Sequence, residues 1–436
     1  MQLGNKLLEK SIFICFAALA LFLTFNRHSK SGYFNYHSEV WADKSGYYVY
    51  LPAAVNFNFN PSNFPDSVDS KTGGGFTLDY STGNIITKYT YGVALLQLPF
   101  YSIANVTAKP LGYDQNGFSP IYHWSVNVAS VFYLTIGLFF LFSYLITTFD
   151  SLSVFLVLFS IFFGTNLYFY SIDETGMSHI YSFSLFCIYL YSLQRTNYLQ
   201  AQSILRCFLW GILVGSIILI RPTNAVFIII TYLFLDFESK AESFSRFERI
   251  LSPTIALPTM AGVLLVFIPQ VLYWKHTYGS FIHYSYGNEG FNFLKPELIQ
   301  TWLSPDNGLI TYCPLFMAIL AGLAYTINKG VKNGIMILGL FLIISYILSS
   351  WWDWSYGCSF GARNYIEYMS VFSIPLAHLY QRINQAKGLS LYGFWFFIIL
   401  CIAFNLKMTY SYDECFGGTM YWDWDKYWEI LKRPMN

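Results

Sequence analysis

Residues 122–148 read YHWSVNVASVFYLTIGLFFLFSYLITT and contain no Asp, Glu, Lys or Arg. About 20 consecutive, mostly apolar residues are enough for an α-helix to cross the hydrocarbon core of a bilayer. Over the whole chain of 436 residues, 55% are hydrophobic and only 11% are charged. A soluble domain has roughly a quarter of its residues charged. The stretch and the composition together predict an all-α polytopic membrane protein.

The same length criterion predicts about eleven spanning helices. The first follows Lys6 and Lys10 and ends without a small-residue cleavage site, so it is predicted to be an uncleaved signal anchor. The predicted spans are residues 7–26, 122–148, 152–171, 177–194, 204–221, 223–236, 254–275, 310–327, 333–351, 365–381 and 390–409.

The distribution of Lys and Arg predicts the orientation, because basic residues concentrate in the short cytoplasmic loops of membrane proteins. With the N-terminus in the cytoplasm, the outer side receives segments 27–120 and 276–309, the turns 172–176 and 352–364, and the C-terminal tail. This predicts a multi-pass protein with its functional residues on the outer side. The membrane is expected to be a bacterial inner (plasma) membrane, although the Lys and Arg distribution itself gives only the orientation. The cytoplasmic ends then hold Lys6, Lys10, Arg195, Arg206, Lys240, Arg246, Arg249, Lys329, Lys332, Arg382 and Lys387.

Residues 1–409 are predicted to form a single transmembrane helical domain that includes the outer loop 27–120. A further span at residues 91–108 would place the basic loops outside, so this apolar stretch is predicted to be a helix in the outer interface or one that re-enters from it. Residues 56–75 are predicted to be a loop. Residues 410–436 are predicted to be an interfacial tail on the outer face, with the aromatic residues Trp422, Trp424, Tyr427 and Trp428.

The formal net charge of +1 gives no argument for a nucleic-acid partner. The seven cysteines show no CxxC or Cys/His ligand spacing, so no structural metal site and no cofactor are predicted. A divalent ion held by Glu39 with Asp43 or Asp306 stays open. Cys358 and Cys415 both fall in predicted outer segments, where a disulfide between them is one alternative.

Ionisable residues close to membrane depth are costly and are therefore candidates for function. In the first outer loop, Glu39 and Asp43 are four residues apart and are expected to share one face of a helix. Either carboxylate is a candidate general base. Lys88, beside Tyr89, is a candidate phosphate ligand. The alternatives are an amphipathic interface helix with solvated acids and a lysine that anchors a helix start.

Two further candidates lie in predicted outer turns. His179 is a candidate donor to a phosphate oxygen or an acid–base group, and the alternative is an ordinary capped helix start. Asp306 lies within Ser-Pro-Asp-Asn-Gly, where it is either a site residue or only a turn residue.

Arg363 is the strongest candidate cation. A guanidinium at the mouth of a helix binds phosphate through a fixed fork of donors. Glu367 follows four residues later and is also predicted to contribute to the site. The alternative is a structural Arg363–Glu367 pair. Arg221 is a weaker candidate, because a snorkelling arginine at a helix end explains it equally well.

Five short motifs resemble the polytopic glycosyltransferases of the C superfamily, the mannosyl- and arabinosyltransferase-like enzymes that use polyprenyl-phosphate-sugar donors. They occur in order from about residue 38 to residue 368 and fall in predicted outer segments. The motifs are DKSGYYVYLPA (43–53), KYTYG (88–92), MSHIYSF (177–183), SPDNGL (304–309) and GCSFGARNYIEY (357–368).

The resemblance implies a membrane glycosyltransferase that moves one sugar to a glycan, lipid or protein acceptor at the non-cytoplasmic face, with inversion. It implies an acidic base in the first outer loop, best matched by Asp43 with Glu39 as neighbour. The family often has adjacent acids there, whereas here three residues separate them, so which acid is the base stays open. Candidate ligands of the lipid-linked phosphate are Arg363, Lys88 and His179.

The main alternative is a transporter or flippase of a lipid-linked saccharide. Such proteins often show repeated halves and charges near the bilayer midplane, whereas the charges here cluster towards one face. A non-enzymatic scaffold, an inactive relative and a surface-polysaccharide ligase or polymerase also remain open.

Overall fold

The structure is a computed structural model that describes residues 2–196, 203–236, 239–412 and 423–435. Within these residues the fold is helical apart from one short antiparallel hairpin of β1 (Thr77–Asp79) and β2 (Asn84–Ile86). The prediction of an all-α protein is therefore confirmed.

Twenty α-helices follow one another along the described residues. They are α1 (Gln2–His28), α2 (Asp43–Tyr48), α3 (Tyr50–Val55), α4 (Val68–Lys71), α5 (Gly92–Ala108), α6 (Pro120–Leu145), α7 (Ser151–Gly164), α8 (Leu167–Ile172), α9 (Ser178–Thr196), α10 (Ile204–Ile220), α11 (Ala225–Phe234), α12 (Lys240–Leu251), α13 (Pro253–Tyr278), α14 (Leu298–Leu303), α15 (Leu309–Tyr312), α16 (Phe316–Asn328), α17 (Gly334–Ser349), α18 (Met369–Asn384), α19 (Leu389–Ser411) and α20 (Trp424–Lys432).

Several helices have the length and composition of membrane spans. In the described part of the chain, four are long and apolar enough to cross a bilayer: Ser11–His28 within α1, α6, α13 and α19. The shorter apolar helices α7, α10, α16 and α17, together with Pro222–Phe234, have 10–17 residues. The chain is thus a membrane-embedded helical protein.

Two predicted spans are interrupted in the structure. The predicted span 152–171 is divided between α7 and α8 at Thr165, whose hydroxyl donates to the Ile161 carbonyl (2.6 Å) and accepts from the Leu167 amide (3.2 Å). The predicted span 310–327 is divided between α15 and α16 around Pro314, because proline lacks the amide hydrogen that a continuous helix needs. The prediction of one uninterrupted helix at each place is wrong.

Helices α10 and α13 pack with their backbones in close contact. A β-carbon on Gly211 would lie 2.0 Å from the Thr259 carbonyl oxygen, and one on Gly262 would lie 2.2 Å from the Phe208 carbonyl oxygen. Small residues permit this kind of close approach between membrane helices. The two helices therefore form a tightly joined pair.

Segment 27–120, the predicted outer loop, packs around an aromatic core that it shares with α6 and α13. This core joins Tyr48, Tyr101 and Tyr122, which are each fully buried, to the surrounding phenylalanines of the loop. The helix predicted at residues 91–108 is observed as α5, which packs against α6. Residues 56–75 contain one 3₁₀ turn and the single turn α4, and are otherwise the predicted loop.

Loops that were predicted to share one side contact one another. At one end, Arg27 Nε donates to Asp173 Oδ1 (2.7 Å). At the other end, the Asn333 side chain donates to Asp236 Oδ1 (2.7 Å). In the predicted tail, α20 contacts α19, while Trp422 lies outside the described residues.

Candidate functional site

Asp43 and Arg363 form an ion pair although they are 320 positions apart in the chain. Arg363 Nη2 donates to Asp43 Oδ2 at 3.1 Å. The Tyr89 hydroxyl donates to the other carboxylate oxygen, Oδ1, at 2.5 Å. The predicted first outer loop and the segment before α18 therefore meet at this ion pair.

The local backbone holds Asp43 at the first position of α2. The preceding residue, Ala42, has a positive φ of 48° and receives no side-chain cap. Its amide donates to the Thr72 carbonyl (2.8 Å), and its carbonyl accepts from the Ser45 hydroxyl (2.8 Å). A β-carbon on Gly46 would lie 2.3 Å from the Tyr89 ring. Glycine is thus required at position 46 for Tyr89 to reach Asp43.

The ion pair lies where two cavities meet. The first cavity has a volume of about 270 Å³ and polar walls that include Lys44, Glu174 and Asp353. The second has a volume of about 300 Å³, and its walls include apolar residues at the end of α10 and on α13. Six residues line both cavities: Asp43, Lys88, Glu289, Trp351, Tyr356 and Arg363.

The charge of Asp43 is set by its neighbours. Burial alone would raise the pKa of this carboxyl group, but the Arg363 guanidinium, the Tyr89 hydrogen bond and Lys88 together outweigh burial and lower the pKa below its ordinary value. Asp43 is therefore ionised at neutral pH, which is the state that a general base requires.

Lys88 lines both cavities and pairs with an acid that the sequence analysis did not single out. Its ammonium lies 2.8 Å from Glu289 Oε1 and 5.4 Å from the centre of the Tyr286 ring. The sequence feature that could have indicated Glu289 is its position as an acidic residue in the predicted outer segment 276–309. Because both partners are partly exposed, an anionic ligand can compete with Glu289 for Lys88 at low cost.

Glu367 does not pair with Arg363, so the alternative of an Arg363–Glu367 pair is wrong. Arg363 begins a 3₁₀ turn and α18 starts only at Met369, so the two side chains do not share a helix face. Glu367 instead accepts from Arg221 Nη1 (3.1 Å), and its other oxygen lies 3.0 Å from His179 Nδ1. Arg221, not His179 or Glu367, lines the apolar cavity.

Glu39 lies apart from Asp43. Residues 38–42 are not helical, so the prediction that the two acids share a helix face is wrong. The Glu39 carboxylate is buried, with His28 Nδ1 and His123 Nδ1 each at 2.8 Å and the Asn127 amide donating at 2.6 Å. Glu39 lines neither of the two cavities, and its predicted catalytic role remains a prediction.

Glu39 is expected to stabilise the fold. Burial raises its pKa, but the hydrogen bonds from His123 and His28 outweigh burial and hold the pKa well below its ordinary value. We expect Glu39→Gln to destabilise the protein by roughly 3 kcal/mol, as is usual when a buried ion pair loses one partner. The measurement is thermal denaturation of the purified protein in detergent at pH 7.

The pH dependence follows from the direction of this shift. A carboxyl group with a lowered folded pKa stabilises the protein above its unfolded pKa of about 4.3, and this stabilisation is lost as the pH falls through the folded pKa. The difference between wild type and E39Q should therefore shrink on acidification. The exposed Glu297→Gln is the matched control. Wild-type stability with lost activity in E39Q would instead favour a catalytic Glu39.

Asp306 is buried and lines neither cavity. Burial and the nearby Asp353 raise the pKa of its carboxyl group to about 7. Its neighbour Asn307 donates to the carbonyls of Ser355 (2.9 Å) and Gly357 (3.0 Å). The predicted turn thus supports the segment that carries Arg363, and substrate binding by Asp306 remains a prediction.

The remaining features of the site concern metal ligands and a disulfide. In the described ranges, no group of three His, Cys, Asp or Glu side chains is placed to hold a metal ion. Cys358, on the wall of the polar cavity, is disulfide-bonded. Its predicted partner, Cys415, lies outside the described residues.

The fold and the site define a membrane-embedded helical protein with an acid–guanidinium pair between a polar and an apolar cavity. No protein-family model, curated protein or solved structure matches the chain. Its function therefore has to be argued from the geometry of this site.

Proposed function

We propose that the protein is a membrane glycosyltransferase that moves a sugar from a polyprenyl-phosphate-sugar donor to an acceptor at the non-cytoplasmic face. The observation that carries the proposal is the position of the Asp43–Arg363 pair, which lines both the polar and the apolar cavity. Such a reaction needs a carboxylate that acts as the base and a cation that binds the phosphate. Both must lie where a lipid-linked donor and a water-borne acceptor meet.

The two cavities suit the two parts of the donor. Ile218, Leu219 and Phe267 line the second cavity and offer an apolar surface for the first units of a polyprenyl chain. Arg221, Lys88 and Arg363 line the same cavity and offer donors for a phosphate. The sugar then points into the polar cavity.

The proposed reaction is a direct displacement with inversion. The acceptor hydroxyl gives its proton to Asp43 while its oxygen forms a bond to the anomeric carbon. The bond from that carbon to the phosphate oxygen breaks, and the electron pair leaves with the lipid phosphate. Arg363 and Lys88 stabilise the negative charge that develops there.

A bound donor phosphate also changes the proton affinity of Asp43. Arg363 Nη2 lies 3.1 Å from Asp43 Oδ2, and a donor phosphate competes for the same guanidinium. Since Arg363 lowers the pKa of Asp43, loss of that contact raises its proton affinity. Donor binding thus prepares the carboxylate to accept a proton.

The orientation is supported by two independent features. The site lies at the end of the fold that receives the predicted outer segments, opposite the loops rich in Lys and Arg. A disulfide at Cys358 suits an oxidising compartment, because disulfides are rare in the cytosol. Eleven spans and a cytoplasmic N-terminus are part of this proposal.

The test uses purified protein in proteoliposomes with polyprenyl-phosphate donors that carry labelled mannose, arabinose or glucose. We expect release of free polyprenyl phosphate together with transfer of the label to a hydroxyl acceptor or, slowly, to water. Movement of an intact donor across the bilayer without cleavage would overturn the proposal in favour of a flippase.

A further inference from the structure

The polar cavity is lined in part by side chains that have no role in the proposed reaction. Trp352 is 56% exposed, yet its backbone is fixed, because its amide donates to the Gly290 carbonyl at 2.9 Å. The neighbouring Trp351 pairs with Phe291 in a β-bridge and packs edge-on against the Phe291 ring at 4.8 Å. An indole ring is thus held open to solvent on a rigid support.

A carboxylate without a cation lines the same cavity. Of the acids that line the polar cavity, Asp43, Glu174 and Glu289 pair with Arg363, Lys44 and Lys88 respectively. Asp353 has no such cation among the described residues. Its Oδ1 accepts from the Ser355 hydroxyl at 2.9 Å, and its backbone carbonyl accepts from the Tyr356 amide at 3.0 Å. In the described part of the chain, Oδ2 accepts no hydrogen bond from a protein donor.

An exposed aromatic ring next to an unpaired carboxylate matches the chemistry of a sugar. A pyranose has a face of C–H groups that packs on an aromatic ring, and a rim of hydroxyls that donate hydrogen bonds. Aromatic side chains supply large apolar contact areas, and an ionised carboxylate accepts two or more donors.

We infer that Trp352 and Asp353 form a subsite for a neutral sugar unit of the acceptor, so that the acceptor is a glycan. This inference rests on the proposed transferase function. The donor sugar must lie beside Arg363 and Asp43, where its phosphate bond breaks. Trp352 lies on the solvent side of the cavity, where a water-borne acceptor arrives.

The first experiment measures sugar binding without a donor. Purified protein is titrated with the neutral disaccharides maltose, cellobiose and mannobiose by isothermal calorimetry. We expect at least one to bind, with affinity lowered about tenfold by Trp352→Ala or by Asp353→Asn, since a charged hydrogen bond contributes about that much. Trp352→Phe keeps the ring and should retain most of the affinity. Trp424→Ala, an exposed tryptophan on α20, is the control.

The second experiment separates the two substrates by kinetics. We expect W352A and D353N to raise KM for a glycan acceptor about tenfold and to change the donor KM by much less. Wild-type protein that binds none of the disaccharides, or variants that match wild type, would overturn the inference. Trp352-dependent sugar binding without any donor cleavage would retain the sugar subsite and reject the transferase.

Discussion

Replacing Asp43 with Asn is expected to lower the rate of sugar transfer roughly 10³-fold, within the range that a positioned general base contributes. Asn has the size of Asp and can keep the hydrogen bond with the Tyr89 hydroxyl, but it cannot take the acceptor proton. The measurement is the initial rate of label transfer by reconstituted protein at saturating donor and acceptor.

The control must separate chemistry from folding. Asp114→Asn removes an exposed carboxylate from the same outer loop and should leave transfer unchanged. D43N should elute from size exclusion and melt like wild type, because Asp43 is 36% exposed and most of its surroundings stay intact. A folded D43N with wild-type rate would remove Asp43 as the base.

Replacing Arg363 with Ala is expected to lower transfer by roughly 10²- to 10³-fold, as when a preorganised donor to the developing charge is lost. Arg363→Lys should lie between wild type and R363A, because lysine keeps the charge but lacks the planar fork of donors. The measurement is kcat and donor KM for each variant, since a group that holds the phosphate in both ground and transition states affects both.

Arg382→Ala is the matched control, because Arg382 is an exposed arginine near the end of α18 that is remote from the cavities. R382A should transfer at the wild-type rate. If R363A loses only thermal stability and transfers normally when folded, the guanidinium is structural and does not hold the donor phosphate.

The sequence motifs predict that Asp43 and Arg363 belong to one site, but not that the two side chains form an ion pair, since the spacing suggested Glu367 as the partner of Arg363. The position of the first outer loop relative to α18 follows from orientation rules and from where the polar residues leave the predicted spans. Short motifs thus located the two groups, although no single motif fixed the distance between them.

The pairing of Glu367 with Arg221 could not be predicted from spacing. The four-residue interval between Arg363 and Glu367 suggested an ion pair only on the assumption of a continuous helix. The same assumption failed at Glu39 and Asp43, because Ala42 has a positive φ. In both cases a tight turn replaced the helix, and turns of this kind depend on tertiary contacts that the local sequence does not reveal.

Glu289 was not predicted to be a site residue, and the reason is different. It lies in a long outer segment without a recognisable motif, and its importance comes only from its contact with Lys88, about two hundred residues earlier. Contacts of that range are set by how the helices pack, so they emerge from the structure alone.

The glycine contact between α10 and α13 restricts the path of the proposed donor. Where Gly211 and Gly262 meet the opposite backbone, no gap remains that would admit an isoprenoid unit. A polyprenyl chain longer than the apolar cavity therefore has to emerge sideways and extend along the lipid-facing surface of the pair. Under the proposed function, recognition then reaches only the isoprene units nearest the phosphate, and the protein should tolerate donors that differ widely in the number of remaining units.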